Sequence, residues 1–484
     1  MRFLNKTIAG IVACTSIISL SGMYSTTAMA VLDDCVEYTL TEETTNFYDQ
    51  WKSKYLIKNN YVTDEDQYYV LYSEGTYADN QYTTEVTVSE AHGYGMLIAA
   101  SMAEYDNGAK EIFDGMYNFY KAHPSSIGPN LMAWQQSDTG SAIVDTSADS
   151  DSATDGDMDI AYALLMADSV WGSGGEINYR QAAIDVINDI MTYEVNKTDW
   201  ILQLGDWVYW SKPGDQYYSA TRASDFIVQY MPIFAEVTGD ERWMNVYEST
   251  YNIINSITSE YDTGILPDFI VKDEATGKFI PAPENYLESE YDGYYYYNSC
   301  RTPWRISMDY LFNGNADALM FAIKLNSFIT KATNSDPWEI MAGYKLDGTP
   351  LEDYNDLCFT APFLISAACG DDKEWHSEVR DVVLNYGDDV YFGDTIKMLC
   401  LIVDDGCWIV PGSDIKPVLG DVNADGKFSI ADLIMLQKWL VNAGEINDWE
   451  AGDLNQDVKI NIADLCLMKQ MLMEQMENKN DLNK

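Results

Sequence analysis

Ala153-Thr154-Asp155-Gly156-Asp157-Met158-Asp159-Ile160-Ala161-Tyr162-Ala163-Leu164-Leu165-Met166-Ala167, followed by Trp171, passes from alternating aspartates into an apolar run. Ile160, Leu164, Ala167 and Trp171 fall at spacings of three and four, which is one face of a helix. Outward from this run the same spacing recurs. Ile112, Phe113, Met116, Phe119 and Tyr120 share a face, as do Trp243, Tyr247, Thr250, Ile254 and Ile257, while Phe226, Tyr230 and Phe234 begin one stripe and Phe321, Leu325 and Phe328 another. Between the stripes lie polar segments rich in Gly, Asp and Tyr, such as Gln135 to Asp157 and Leu202 to Thr221. Loops of this length in a compact domain usually hold a site. The expectation is an all-α barrel or bundle with long functional loops.

The chain has 484 residues, 77 Asp+Glu against 29 Lys+Arg, a formal net charge of −48 and 47% hydrophobic residues. That apolar content excludes global disorder. The negative charge disfavours nucleic acid and anionic lipid, because there is no basic surface from which to release counterions. Arg2 and Lys6, the apolar run Ile8 to Leu20 and Ala28-Met29-Ala30 read as a secretory signal over residues 1–30, predicting an exported protein. The alternative, a lipoprotein cut before Cys14, leaves only a few apolar residues ahead of the cut. No later stretch reaches the roughly 20 apolar residues of a membrane span. Cys35, Cys300, Cys358, Cys369, Cys400, Cys407 and Cys466 form an odd, scattered set without CxxC spacing, so most are expected as buried thiols.

Pro411 to Pro417, with two prolines and a glycine, reads as a linker, and a repeat follows it. Gly420-Asp421-Val422-Asn423-Ala424-Asp425-Gly426-Lys427-Phe428-Ser429-Ile430-Ala431-Asp432-Leu433 recurs as Gly452-Asp453-Leu454-Asn455-Gln456-Asp457-Val458-Lys459-Ile460-Asn461-Ile462-Ala463-Asp464-Leu465. Each copy has the donor spacing of an EF-hand loop, oxygens at positions 1, 3, 5, 9 and 12 with a backbone carbonyl at 7, suited to a hard cation. The predicted calcium ligands are Asp421, Asn423, Asp425, Lys427 (carbonyl), Ser429 and Asp432, then Asp453, Asn455, Asp457, Lys459 (carbonyl), Asn461 and Asp464. Val458 replaces the glycine that supplies positive φ at position 6, which strains the second loop.

Aspartate at position 12, with a helix-like stretch after each loop, resembles a type I dockerin, the calcium-dependent module that docks secreted polysaccharide enzymes onto cohesin domains of a scaffold. The resemblance implies cohesin contact through Ile430, Ala431, Gln437 and Lys438 and their counterparts Ile462, Ala463, Lys469 and Gln470. The alternative places Ile430 and Ile462 in a helix core.

The run quoted first resembles, position by position, the signature of glycoside hydrolase family 8. Ser89-Glu90-Ala91-His92-Gly93-Tyr94-Gly95-Met96-Leu97 is similar to that family's general-acid segment, and Asn298-Ser299-Cys300-Arg301-Thr302-Pro303-Trp304-Arg305 with Asp309 to its third landmark. Thr221-Arg222-Ala223-Ser224-Asp225-Phe226 and Tyr391-Phe392-Gly393-Asp394-Thr395 are supporting matches. The resemblance implies an (α/α)6 barrel over residues 31–410, a linker at 411–418, an EF-hand-like dockerin at 419–476 and a polar tail at 477–484. It further implies inverting, endo-acting hydrolysis of β-1,4-linked glycans.

Inversion needs one protonated carboxyl and, across the scissile bond, one carboxylate to activate water. The resemblance makes Glu90 the acid and Asp155 a sugar-holding residue at the cleavage subsite. As plain sequence, Glu90 is a first-turn glutamate after an N-cap Ser89, a place where the helix dipole lowers its pKa. Many members carry an aspartate base at the position of Asn298, and an amide cannot take a proton from water. The subgroup with Asn here uses a Glu in an inserted loop, and Tyr286-Leu287-Glu288 resembles that element best. Glu288 is therefore the expected base; Glu284, Glu290 and Asp292 are the alternatives for that role in the same loop and are otherwise expected to be dispensable. Asn298 could then orient the water. Arg301 is expected to bind near the base, or alternatively to pair with Asp309. Trp134, Tyr162, Trp304 and Tyr391 lie beside the landmarks as candidate sugar platforms. The substrate expected is mixed-linkage β-1,3-1,4-glucan or cellulose, with chitosan as the alternative and a non-catalytic carbohydrate-binding protein as the rival of another class.

Overall fold

The computed structural model describes residues 40–412 apart from 74–75, 79–80, 84, 147–149 and 388–389, and residues 420–481 apart from 421, 424–427, 442, 445, 447–448, 450, 453 and 455–458. The side chains of 76–78, 81–83 and 473–481 are outside that description. The expected signal segment, six of the predicted calcium ligands (Asp421, Asp425, Lys427, Asp453, Asn455 and Asp457), Val458 and most of the linker therefore lie outside the described residues.

Among the described residues, twelve helices of the larger part alternate in chain order between two environments: α1 (Glu42–Tyr55), α2 (Ser89–Ser101), α3 (Ala109–Ala122), α4 (Thr154–Trp171), α5 (Tyr179–Asp189), α6 (Tyr230–Thr238), α7 (Arg242–Glu260), α8 (Thr302–Asn313), α9 (Ala316–Thr333), α10 (Leu357–Ala368), α11 (Lys373–Asn385) and α12 (Tyr391–Asp404). The odd-numbered helices bury one stripe, such as Ile112, Phe113, Met116, Phe119 and Tyr120 on α3, and leave a polar face to water. The even-numbered helices are enclosed, and α2, α4, α10 and α12 are buried along almost their whole length. α2 neighbours α4, α8 neighbours α10, α10 neighbours α12 and α12 returns to α2, while each odd helix packs on an even one. α6 joins the inner set through Tyr230, whose ring stacks on Tyr162 of α4 at 3.8 Å and whose hydroxyl accepts from Arg305 of α8 at 3.2 Å. This double ring fits an (α/α)6 barrel.

Side-chain volume sets how closely inner helices approach. A Cβ on Gly93 of α2 would lie 2.7 Å from Asp159 Cβ, and one on Gly156 of α4 would lie 2.5 Å from Ser89 Oγ and 2.7 Å from the Ser89 carbonyl carbon. The two backbones therefore touch, with no room for any other residue. The buried charges of Asp159 and Arg305 are paired: Asp159 forms an ion pair with Arg305 and accepts from Tyr230 Oη at 2.9 Å, and the Arg305 guanidinium lies 3.9 Å over the Trp304 ring.

Two three-stranded antiparallel sheets hold the long connections. One pairs Glu85–Val88 with Gln135–Asp138 and Ile143–Asp145, so the expected loop from Gln135 contains a hairpin and ends where α4 starts. The other pairs Ala220–Arg222 with Phe269–Lys272 and Phe279–Pro281. Val88 is extended and occupies the cap of α2, while Ser89 N donates to Trp134 O at 2.8 Å. Ser89 is thus the first helical residue rather than the expected N-cap, because the sheet delivers the chain into the helix.

In the C-terminal segment α13 (Ile430–Leu440) and α14 (Ile462–Asp481) pack together around Val422, Leu436, Ile460, Leu465 and Met468. Ile430 and Ile462 are 68% and 66% exposed, which overturns the alternative that placed them in the core. Cys300, Cys358, Cys369 and Cys400 are free, buried thiols. Among the described residues no helix is long and apolar enough to cross a membrane.

Because Gly156 meets the Ser89 backbone as well as its side chain, Gly156→Ala should cost about 1–3 kcal/mol of stability through overpacking. Thermal unfolding checks this, with Gly140→Ala, whose Cβ site is open but whose φ is +79°, separating steric overpacking from backbone strain.

Candidate active site

The close approach of α2 and α4 sets their first turns side by side, with Glu90 on one and Asp155 on the other. Both carboxylates sit at helix N-termini, where the backbone field favours negative charge. A short helical turn, Ser299–Arg301, leads into α8 and brings Arg301 between them. Arg301 Nη1 pairs with Glu90 Oε2 and lies 3.2 Å from Asp155 Oδ2 and 3.2 Å from Tyr94 Oη. Arg222, at the end of its strand, donates to Asp155 Oδ1 at 3.1 Å and also pairs with Asp225. Tyr391 Oη donates to Glu90 Oε1 at 3.2 Å.

A second arm runs from the same guanidinium. Arg301 Nε donates to Asn298 O at 3.2 Å, and Nη2 to Asn298 Oδ1 at 3.4 Å. The other end of that amide, Nδ2, donates to Glu288 Oε2 at 2.8 Å. Each end of Asn298 thus meets a complementary partner, which fixes the amide's orientation. Glu90, Arg301, Asn298 and Glu288 form one contiguous chain of contacts. Glu90 lies at its partly buried end and Glu288 at its exposed end.

The two carboxyls that share Arg301 differ in charge state. Burial raises the Glu90 pKa above the ordinary carboxyl range, with Asp155 adding to the rise and Arg301 opposing it. Burial alone would raise Asp155 as well, but Arg222 and Arg301 together hold it below that range. The two pKa values are thus pushed in opposite directions. Burial also pushes Asp225 up to about 7.

Glu90, Asp155, Asn298, Arg301 and Glu288, far apart in sequence, are brought together. Arg301 does not pair with Asp309, which instead accepts from Tyr247 Oη at 2.7 Å, Tyr251 Oη at 2.5 Å and Asn313 Nδ2 at 2.6 Å. Tyr162 and Trp304 are corrections: both are fully buried, Tyr162 stacked between Tyr230 and Trp408 and Trp304 packed against Tyr94 and Arg305, so neither offers a face to sugar. An aromatic on an enclosed helix has no open face, however close to a motif it stands. Tyr391 is also buried and reaches the site through its hydroxyl. Trp134, 38% exposed, keeps its face open, and its own carbonyl receives Ser89 N at the start of α2. Tyr94 and Arg222 were not singled out by the sequence, although both stand inside the quoted family segments. Asp292, expected to be a dispensable neighbour, is 1% exposed and fully engaged in hydrogen bonds.

The family model for glycosyl hydrolases family 8 matches residues 18–406, and that for the dockerin type I domain matches residues 419–481. The chain is 44% identical to a beta-glucanase of Niallia circulans over 365 residues, 75% of this chain and 83% of that protein. It is 37% identical to an endoglucanase of Bacillus sp. (strain KSM-330), over 78% of this chain and 79% of that protein. The apo structure of a beta-1,3-1,4-glucanase from Paenibacillus sp. X4 superposes with a TM-score of 0.71 at 42% identity, covering 78% of this chain and 95% of that one. With a family model matched across most of its length and relatives of this similarity, the chain belongs to glycosyl hydrolases family 8, is a glycoside hydrolase of the glucanase kind, and carries a type I dockerin.

Proposed function

We propose that this glucanase is an inverting, endo-acting hydrolase of β-1,4 linkages in mixed-linkage β-1,3-1,4-glucan or cellulose, exported and docked to a scaffold through its dockerin. The observation that supports it most is the contact chain from Glu90 through Arg301 and Asn298 to Glu288. Glu90, whose pKa burial raises, gives its proton to the glycosidic oxygen as the C–O bond breaks. Glu288, exposed to solvent and held by Asn298, takes a proton from a water whose oxygen bonds to the anomeric carbon from the opposite face. Asp155, held ionised by two guanidinium groups, orients the sugar at the cleavage point. A neutral glucan, rather than chitosan, is the substrate this reading favours. The Paenibacillus and Niallia relatives, a beta-1,3-1,4-glucanase and a beta-glucanase, point the same way.

In the dockerin, Asn423, Ser429 and Asp432, and Lys459, Asn461 and Asp464, are the predicted ligands among the described residues. Asp432 and Asp464 are buried carboxylates in the first turns of α13 and α14, accepting from Ser429 N at 2.8 Å and Asn461 N at 2.7 Å respectively. Carboxylate, amide, hydroxyl and carbonyl oxygens fit calcium, which would join each loop to the helix after it. The exposed pair Ile430 and Ile462, with Ala431, Lys438, Ala463, Lys469 and Gln470 also exposed, offers the cohesin two near-equivalent surfaces.

Glu90→Gln should lower turnover on unactivated glucan by at least about 100-fold, and near-normal rates would remove Glu90 from the acid's role. Tyr391 and Arg301 both pull the Glu90 pKa down, so removing the Tyr391 hydroxyl raises it. Because the acid must be protonated, Tyr391→Phe should move the alkaline limb of the kcat/KM profile to higher pH; an unmoved or lowered limb contradicts this. Chelating calcium should abolish cohesin binding and reduce the circular-dichroism signal of the isolated C-terminal segment while hydrolysis persists. Loss of hydrolysis with retained docking would reverse the two assignments.

A further inference from the structure

The loop from 285 to 299 carries both Glu288 and Asn298; Tyr295 anchors its later part in the core, but around the base Leu287 and Glu288 are exposed. Two buried carboxylates gather its backbone instead. Asp292 Oδ2 accepts from Leu287 N at 2.7 Å and Glu288 N at 3.0 Å, and Oδ1 accepts from Ser289 N at 2.8 Å. Asp268 Oδ1 accepts from Tyr296 N at 2.9 Å, Ser299 N at 2.8 Å and Ser299 Oγ at 2.6 Å, and Oδ2 from Asn298 N at 3.1 Å.

The two clasps are tied to one strand. Asp268 N donates to Tyr294 O at 2.8 Å and Phe269 N to Asp292 O at 2.8 Å, so the loop is pinned beside the strand that starts at Phe269. Tyr286 adds a third fastening: its ring lies edge-on to Tyr217 at 5.4 Å, its hydroxyl donates to Gln216 O at 2.5 Å and its carbonyl accepts from Gln216 Nε2 at 3.1 Å. A carboxylate that binds three consecutive N–H groups fixes the φ and ψ angles between them, because each bond constrains a different peptide plane.

We propose that Asp292 is a positioning residue for the reaction, holding the backbone of Glu288 so that its carboxylate is in place before substrate arrives, with Asp268 doing the same for Asn298. This inference rests on Glu288 being the base. Preorganisation of this kind acts on the reacting geometry more than on binding, since a misplaced base leaves Asp155 and its pairs with Arg222 and Arg301 intact. Asparagine at 292 keeps the shape but turns an N–H donor towards one of the three backbone donors, so the turn opens and Glu288 moves away from Asn298 Nδ2.

The test uses the full-length chain with Asp292→Asn and Glu288→Ala in parallel, assayed on β-glucan with and without sodium azide. Azide replaces the activated water: it forms a C–N bond at the anomeric carbon as the glycosidic C–O bond breaks, and Glu90 protonates the departing oxygen. For Asp292→Asn we expect kcat to fall roughly 10- to 100-fold, KM to change by less than about threefold, and azide to restore part of the rate as glycosyl azide. Hydrogen exchange on the unmutated protein supplies a reading that does not depend on the variant folding: the Leu287, Glu288 and Ser289 amides should be protected although the first two residues are exposed. The inference is overturned if folded Asp292→Asn keeps near-normal kcat, if its loss is not relieved by azide, or if those three amides exchange like an open loop. Glu288→Ala that retains turnover removes the base assignment itself, whereas an inactive Glu288→Ala beside an active Asp292→Asn overturns the positioning role alone.

Discussion

Backbone contact between α2 and α4 at Gly93 and Gly156 is the constraint from which the site follows. Two helices that pass this closely bring their N-terminal turns together, and each first turn carries an acid. Like charges at that distance cannot both ionise without a counterion. Arg301 supplies one, and its position is set by Asn298, whose carbonyl and amide oxygens receive its remaining donors. The same geometry divides the protons: Asp155 faces two guanidinium groups and stays charged, and Glu90 faces one and is raised by burial. Acid strength here is a consequence of helix packing.

Several features were legible in the sequence for physical reasons. Helices with one face to water, such as α3, α7 and α9, showed their stripes because solvent imposes the period. α2 and α10 are enclosed almost throughout and show no such stripe, so only a family segment located α2. Enclosure also explains the misplaced aromatics: Tyr162 and Trp304 stand in the right segments but point into the core. The burial of Asp292 was not legible, because an acidic, tyrosine-rich loop looks solvated when the three backbone donors that its carboxylate gathers cannot be seen. Asn298, by contrast, was informative as an absence. An amide where a base is expected demands a carboxylate elsewhere, and the structure puts Glu288 in hydrogen-bond contact with that amide.

The C-terminal repeat was legible for a different reason, since it is written twice. Ile430 and Ile462 take the same exposed place at the start of their helices, and Asp432 and Asp464 the same buried one. A pattern that repeats in environment as well as in residue type is hard to explain by helix propensity alone.

The proposed acid and base would act on opposite sides of the sugar, an arrangement that dictates the stereochemistry of the product. Proton NMR of the first-formed reducing ends, recorded during hydrolysis of mixed-linkage β-glucan before mutarotation, reads that outcome directly. The α-anomer appearing first is the result predicted by Glu90 as acid and Glu288 as base to water. Initial appearance of the β-anomer would mean a covalent glycosyl intermediate, and would contradict the roles given to both residues.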